Sequence, residues 1–364
     1  MKKPTSISLT ESNFLKFFFL FFTTTSIFFC FRQALKLKGF DDPITELKII
    51  DTESRKAFGD FTAKVSVGML IKGFSTFDLI KNNFVADLIV WFEYNVDQVM
   101  LEKISLFSFD NGDIVKKSAP DIRISEGRAL VKFDVRVAFK SNLVYKRFPL
   151  ENHRISLMLS NNFVTPAEMY FEIEDSGFKV DKEIFIPDWD ISDVFTEAGF
   201  SSIGLDDKDS KAKSRASVVP KVRFTINLDK KGIKDIYIVF LPLYLASFIG
   251  TYSFLTSILN SNMRYVMASS TVPALLSYRF IIQNLIPQTS YFTITDYIYL
   301  LLLLTACFIF IFQAFFIRKA GHVLDGNKDS SGFYKALVEN INTIVFVIIN
   351  LIVLAGTYYF LNYL

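Results

Sequence analysis

Two reactive residue types are nearly missing from this chain of 364 residues, which has two cysteines and two histidines. Cys30 and Cys307 both lie inside apolar runs, so neither a disulfide framework nor a thiolate metal site can be built from them. His153 and His322 are too few for a histidine-dependent catalytic or zinc centre. No basic stripe with interleaved aromatics occurs, and the formal net charge is only +3, so nucleic acid is not an expected partner. Paired acids are scarce as well. Asp188, Asp190 and Asp193 surround Trp189, and "EIED" stacks acids at 172–175. Both read as solvated strand faces rather than a catalytic pair or a calcium site. The expectation is a protein that is not an enzyme and holds no cofactor.

What the chain does have is apolar surface. Apolar residues make up 51% of it, phenylalanine alone occurs 41 times, and the mean hydropathy is +0.32. That balance points to a membrane protein. Charge is unevenly spread: residues 41–235 hold 32 of the 37 acidic and 28 of the 40 basic residues. A mildly acidic, water-compatible middle is therefore flanked by basic, apolar ends.

Four apolar stretches near the C-terminus, roughly 236–258, 265–285, 297–317 and 341–363, each approach the ~20 residues that cross a bilayer. Arg264 follows the first. Arg318, Lys319, Lys328 and Lys335 lie between the third and fourth, whereas "NLIPQTSYFTIT" after the second has no Lys or Arg. By the positive-inside rule the first-to-second and third-to-fourth loops face the cytoplasm, and the middle domain lies outside. Tyr291, Tyr297, Tyr358 and Tyr359 are placed as interface aromatics would be. A fifth segment, "FFFLFFTTTSIFFCF" at 17–31, follows Lys2, Lys3 and Lys16. Its length suits a signal-peptide core better than a full span, yet no small-x-small cleavage site follows it. Residues 1–35 thus read either as a cleaved signal or as a retained anchor.

Residues 60–228 read as short strands: "AKVSVGMLI", "NNFVADLIVWFEY", "RALVKFDVRVAF", "HRISLMLS", "EMYFEIE" and "KVRFTINL". Turn signals at Asn111-Gly112, Glu126-Gly127 and Ser176-Gly177 separate them. This spacing predicts an exported antiparallel β-sandwich over 36–235, ahead of a four-helix transmembrane domain over 236–364. The charged run "LDDKDSKAKSRAS" at 205–217 is expected to join two late strands.

The second span, "RYVMASSTVPALLSYRFIIQN", is the anomaly. Ser270, Ser277 and Asn284 are spaced seven apart, and Val266, Pro273 and Phe280 fall on the same helical stripe. Ala268, Val272, Leu275 and Ile282 form an apolar opposite face. Two readings stand: a tightly packed interface helix, or a helix lining water. Pro273 removes a backbone donor, and the freed carbonyl needs another partner such as cavity water. One helix cannot enclose a channel, but a ring of identical subunits can.

The order of these parts resembles the pentameric ligand-gated ion channels of the Cys-loop receptor superfamily, most of all their bacterial members, over about residues 60–364. "YKRFPLENHRISLML" resembles the family's Pro-Phe-Asp-x-Gln segment. "DWDISDV" resembles its tryptophan strand, "FLPLYLASF" its proline-bearing first span, and "NLIPQTSYFTITDYIYLL" its linker from second to third span. The two cysteines that name the superfamily are absent.

The resemblance implies a homopentamer in a bacterial inner membrane, with the sandwich on the periplasmic side. A small ligand or protons would bind between sandwiches and open a pore for small ions. Asn262, Val266, Ser270, Pro273, Ser277, Phe280 and Asn284 would line that pore. Trp91, Glu93 and Tyr94 of one subunit would face a capping loop near 200–217 of the next, which offers Phe200. Glu151 and Lys230 stand where the family keeps a charged pair, and with Pro149 and Pro287 they would couple the sandwich to the pore. The family's apolar gate falls on Pro273, which shifts the expected constriction to Phe280. Arg264, beside Asn262 at the inner mouth, would either favour anions or reach lipid headgroups. The alternatives are a non-conducting sensor with an exported binding domain, a membrane-bound enzyme and a transporter.

Overall fold

The computed structural model describes residues 9–34, 39–44, 46–49, 62–78, 81–174, 176–203, 217–231, 234–257, 260–285, 289–326 and 331–363. The chain divides into two compact units. One comprises Phe40–Val144 and Asn152–Lys231; the other comprises Met1–Gly39, Tyr145–Glu151 and Gly232–Leu364. The second unit thus claims residues 145–151, a loop lying between two strands of the first.

The first unit is a curled, largely antiparallel sheet. Its strands are β1 (Lys48–Ile49), β2 (Ala63–Asp78), β3 (Asn83–Asn95), β4 (Ser108–Phe109), β5 (Gly112–Lys117), β6 (Asp121–Ser125), β7 (Arg128–Lys140), β8 (His153–Ser160), β9 (Met169–Glu172), β10 (Phe178–Val180), β11 (Trp189–Ile203) and β12 (Ser217–Lys230). They are ordered β1-β11-β12-β8-β4-β5-β7-β3-β2-β10, with β6 on β7 and β9 on β2. Strict alternation builds the core. On β3, Phe84, Ala86, Leu88, Val90 and Phe92 are buried, and on β7 so are Val131, Phe133, Val135, Val137 and Phe139. Pairing Phe84 with Phe139 and Val90 with Phe133 stacks these rows. Phe107 then packs its ring 5.2 Å from Phe92 and 5.3 Å from Phe133.

Each such phenylalanine contributes about 1.5–3 kcal/mol by leaving water. Slipping β3 by one residue would turn the whole row outward, so the phenylalanines also fix register. Two register shifts in β2, at Ile71/Gly73 and Phe74/Thr76, bend that strand. The sheet curls back on itself: Phe178 of β10, at one end of the order, lies 5.2 Å from Phe224 of β12, near the other.

The second unit holds five long helices: α1 (Leu9–Ala34), α2 (Lys234–Tyr252), α3 (Ser261–Leu285), α4 (Ile294–Gly326) and α5 (Ser331–Tyr363). Leu20 of α1, Ala268 of α3, Ile309 of α4, Phe346 and Ile349 of α5, and Phe254 just beyond α2 form one buried cluster. Among the described residues, four segments are long and apolar enough to cross a membrane: Phe14–Ala34, Lys234–Tyr252, Ile294–Lys319 and Ala336–Tyr363. The chain is thus a multi-pass membrane protein.

Two details differ from the sequence expectation. The apolar run at 17–31 is part of a 26-residue helix, and its 21-residue span is full length rather than a short leader core. The first C-terminal span ends at Tyr252 instead of 258. There the chain turns, and the Ser253 hydroxyl donates to the Gly250 carbonyl at 2.6 Å. Helix α3 has 25 residues but is not among the four segments apolar enough to span. Its length is sufficient; its composition is too polar for lipid on every side.

Candidate pore-lining face and coupling loop

Helix α3 has two faces. Arg264, Ala268, Thr271, Leu275 and Ile282 are buried against the other helices. Asn262, Val266, Ser270, Pro273, Ser277, Phe280 and Asn284, at steps of three and four, are all exposed and form one stripe. Among them Phe280 is the large apolar group, 71% exposed. The Ser270 hydroxyl donates to the Met267 carbonyl at 3.0 Å. Pro273 has no N–H to offer the Ser269 carbonyl. Val272, expected on the apolar opposite face, is half-buried.

Both ends of α3 are fixed by arginines. Arg264 is wholly buried: its Nε donates to the Ser253 carbonyl at 3.1 Å, and its Nη2 donates to Asn342 of α5. The mouth role expected of Arg264 is thereby replaced by a packing role, because the side chain points into the bundle. At the other end, Arg279 Nη1 lies 2.5 Å from Asp296 of α4, with the guanidinium 5.2 Å from the Tyr299 ring. Asp296 also accepts from the Thr293 N–H and hydroxyl, both at 2.8 Å, while the Thr293 hydroxyl accepts from the Asp296 N–H at 3.3 Å. This reciprocal capping box starts α4. The Thr-x-x-Asp spacing in "TITD", just before an apolar run, was the signal that could have found it. Nothing in the sequence pairs Arg279 or Arg264 with partners on other helices.

The loop 145–151 is hydrogen-bonded into the helical unit. The Ile294 N–H donates to the Lys146 carbonyl at 2.8 Å, the Thr295 hydroxyl to the Phe148 carbonyl at 2.8 Å, and the Tyr145 N–H to the Tyr291 hydroxyl at 2.8 Å. Two of these bonds tie the loop to the start of α4, and the third ties it to Tyr291, three residues before the helix. Pro149 follows a cis peptide in the loop, and Glu151 is buried at its end. Lys230 belongs to the other unit. It closes β12 opposite Trp189, with its ammonium 5.6 Å from that ring and its N–H donating to Asn152 at 3.1 Å. Pro287 lies outside the described residues, as do 204–216 of the expected capping loop.

In the sandwich, Trp91 and Glu93 share the outer face of β3. The Trp91 ring covers Gly68 of β2, where an added Cβ would lie 2.2 Å from the indole. Glu93 pairs with Arg128 at 3.2 Å. Tyr94 does not join them: strand alternation turns it into the core, where it is 3% exposed. Phe200 is half-buried on β11, paired with Pro220, at the other end of the sheet order.

A scan against protein-family models finds no match to this chain, and a comparison with curated proteins finds none either.

Proposed function

We propose that the chain is a subunit of a homopentameric, ligand-gated ion channel whose pore is lined by α3. The observation that carries this reading is the contrast between exposed helix faces. On α2 the exposed large side chains include Ile238, Leu241, Leu245 and Ile249; on α4 they include Leu300, Leu304, Phe308 and Ile311; on α5, Ile344, Ile348, Leu351 and Ile352. These faces suit hydrocarbon. The exposed stripe of α3 instead carries Asn262, Ser270, Ser277 and Asn284. Polar groups at membrane depth face water or a bundle interior, and every residue of this stripe is exposed. Five copies around an axis would give it a water column to face.

In this reading a small ligand or protons bind between neighbouring sandwiches, with Trp91 and Glu93 on one side and Phe200 on the other. The sandwich lies on the periplasmic side of a bacterial inner membrane. The loop 145–151, bonded to the start of α4, transmits the change to the helices.

The test is reconstitution in planar bilayers of a chain lacking Cys30 and Cys307, with Ser277→Cys or Leu275→Cys added singly. A charged thiol reagent is expected to block current through Ser277→Cys and leave Leu275→Cys untouched. Absence of unitary currents, or equal access at both positions, sinks the pore assignment. For the coupling loop, Glu151→Gln is expected to lower open probability about ten-fold, near 1.4 kcal/mol of coupling. Unchanged gating at normal surface abundance would remove Glu151 from the coupling path.

A further inference from the structure

We propose that α1 is a resident fifth membrane helix, retained in the mature protein and clamped to the bundle by the part-buried Lys16–Glu339 ion pair. This goes beyond the channel reading and does not depend on conduction.

The first argument is the pattern along α1. Lys16, Leu20, Thr23, Cys30 and Ala34 are buried, at steps of three, four and seven. Phe14, Phe17, Phe18, Phe21, Phe22, Phe28 and Phe29 are exposed. The exposed phenylalanines suit lipid, while the inward seam combines Lys16, Thr23, Cys30 and Ala34 with Leu20 and the buried Phe31, which is the arrangement of a helix packed in a membrane bundle. A leader core that is removed needs only to be apolar; it has no use for a polar seam matched to a partner.

The second argument is the partner. Phe19 meets Phe346 of α5 with ring centroids 6.2 Å apart, and the Thr23 hydroxyl lies 3.5 Å from Asn350 Oδ1. Further along, Phe31 packs 4.6 Å from Phe240 and 6.0 Å from Tyr244 of α2. Helix α1 therefore runs parallel to α5 and antiparallel to α2. The basic residues that precede each parallel helix, Lys2 and Lys3 before α1, Arg318 and Lys319 before α5, fall on one side of the membrane by the positive-inside rule. Packing and charge bias give the same orientation independently.

The third argument is charge. Lys16 is 1% exposed and Arg264 is fully buried. Such groups need a counter-ion at membrane depth. Glu339 lies 3.4 Å from the Lys16 ammonium. It also acts electrostatically on Arg264, whose Nη1 has no hydrogen-bond partner among the described residues. Removing α1 would leave Glu339 with Arg264 alone and uncover Phe346 and Ile349, which Leu20 helps to bury.

The experiment uses the full chain with a C-terminal tag, purified from membranes. Its intact mass is expected to include residues 9–34; a mass lacking them overturns the proposal. In a background without Cys30 and Cys307, the pair Thr23→Cys and Asn350→Cys is expected to form an intrachain disulfide on mild oxidation, read as protection from maleimide. The control pair Phe21→Cys and Asn350→Cys should stay fully labelled. No cross-link, or one that appears only between two chains, overturns docking within the subunit. Lys16→Met and Glu339→Gln should each lower the detergent Tm and cut cross-link yield several-fold. The double variant Lys16→Met with Glu339→Gln should lose less than the sum of the two single losses, because either single change already removes the pair. If the two losses simply add although the protein folds, the clamp is wrong.

Discussion

At the scale of single residues, charges placed between helices matter more than those on the surface. Arg279–Asp296 ties α3 to α4 while Asp296 also caps α4, so its variants separate two roles. Asp296→Ala loses both and is expected to cost about 2–3 kcal/mol, as charged hydrogen bonds do. Asp296→Asn keeps an acceptor for the cap and should cost roughly half as much by the same rule. Equal losses in thermal unfolding would mean that the cap contributes nothing, and no loss in Asp296→Asn would mean that the ion pair contributes nothing.

On the sandwich, Asp87 accepts from Arg136 Nε at 2.6 Å and Nη2 at 3.2 Å, and from the Ser75 hydroxyl at 2.6 Å. The Arg136 hydrogen bonds, reinforced by Ser75, hold its carboxyl below the ordinary value of 3.8 despite some desolvation. A depressed carboxyl stabilises the fold at pH above its unfolded value and loses that contribution as pH falls through the folded one. Stability of the sandwich should therefore decline below about pH 4. Asp87→Asn should flatten that decline while changing little at pH 7, because the pair is solvent-screened. An unaltered slope in acid unfolding would rule Asp87 out as a contributor. Residue identity announced neither pair. Arg264 shows the converse: beside Asn262 in sequence, it belongs to the opposite face of the helix, and only the partners Ser253 and Asn342 reveal its role.

At the scale of elements, what could be read beforehand was what repeats. The alternating runs at 63–71, 83–94, 128–139 and 153–160 became β2, β3, β7 and β8, because period-two burial depends on local geometry alone. The curl of the sheet was not legible. It shows in the bulges in β2 and in Phe178 meeting Phe224, both consequences of tertiary packing. Among the helices, the α3 stripe was legible from its seven-residue spacing. The matching seam of α1 was hidden by phenylalanines that dominate its composition. Helix ends misled at Tyr252, where apolar residues continue but the chain turns.

The contact between α2 and α3 is set by a small residue. A Cβ added to Gly250 would lie 2.8 Å from the Thr271 hydroxyl and 3.3 Å from its methyl. Thr271 is buried and holds its hydroxyl 3.1 Å from the Met267 carbonyl, so it has little room to withdraw. Gly250→Val is accordingly expected to push α3 outward and cost about 1–3 kcal/mol as overpacking. Gly250→Val with Thr271→Ala should recover most of it. A double variant no more stable than the single one would show that the strain lies elsewhere.

At the scale of the whole molecule, the α3 stripe is unexplained by the subunit itself. Seven consecutive stripe positions are exposed on a helix whose other face is packed, and four of them are polar. A ring of copies gives the stripe an environment, and then the large apolar group on it becomes the natural barrier. Phe280 projects from the stripe, whereas Pro273, at the position where the resembled family keeps its gate, has a short ring and alters the backbone instead. Five Phe280 side chains at one level would exclude water and hold the pore shut without a steric plug. In the proposed channel, replacing them should change the resting state rather than the fold, since an exposed side chain contributes little packing within one chain. Phe280→Ser is therefore expected to raise ligand-independent current at least ten-fold while leaving Tm and assembly unchanged. Leu275→Ser, on the buried face, should lower Tm and yield without raising resting current. If Pro273→Ala opens the pore and Phe280→Ser does not, the barrier lies about two turns deeper, at the proline.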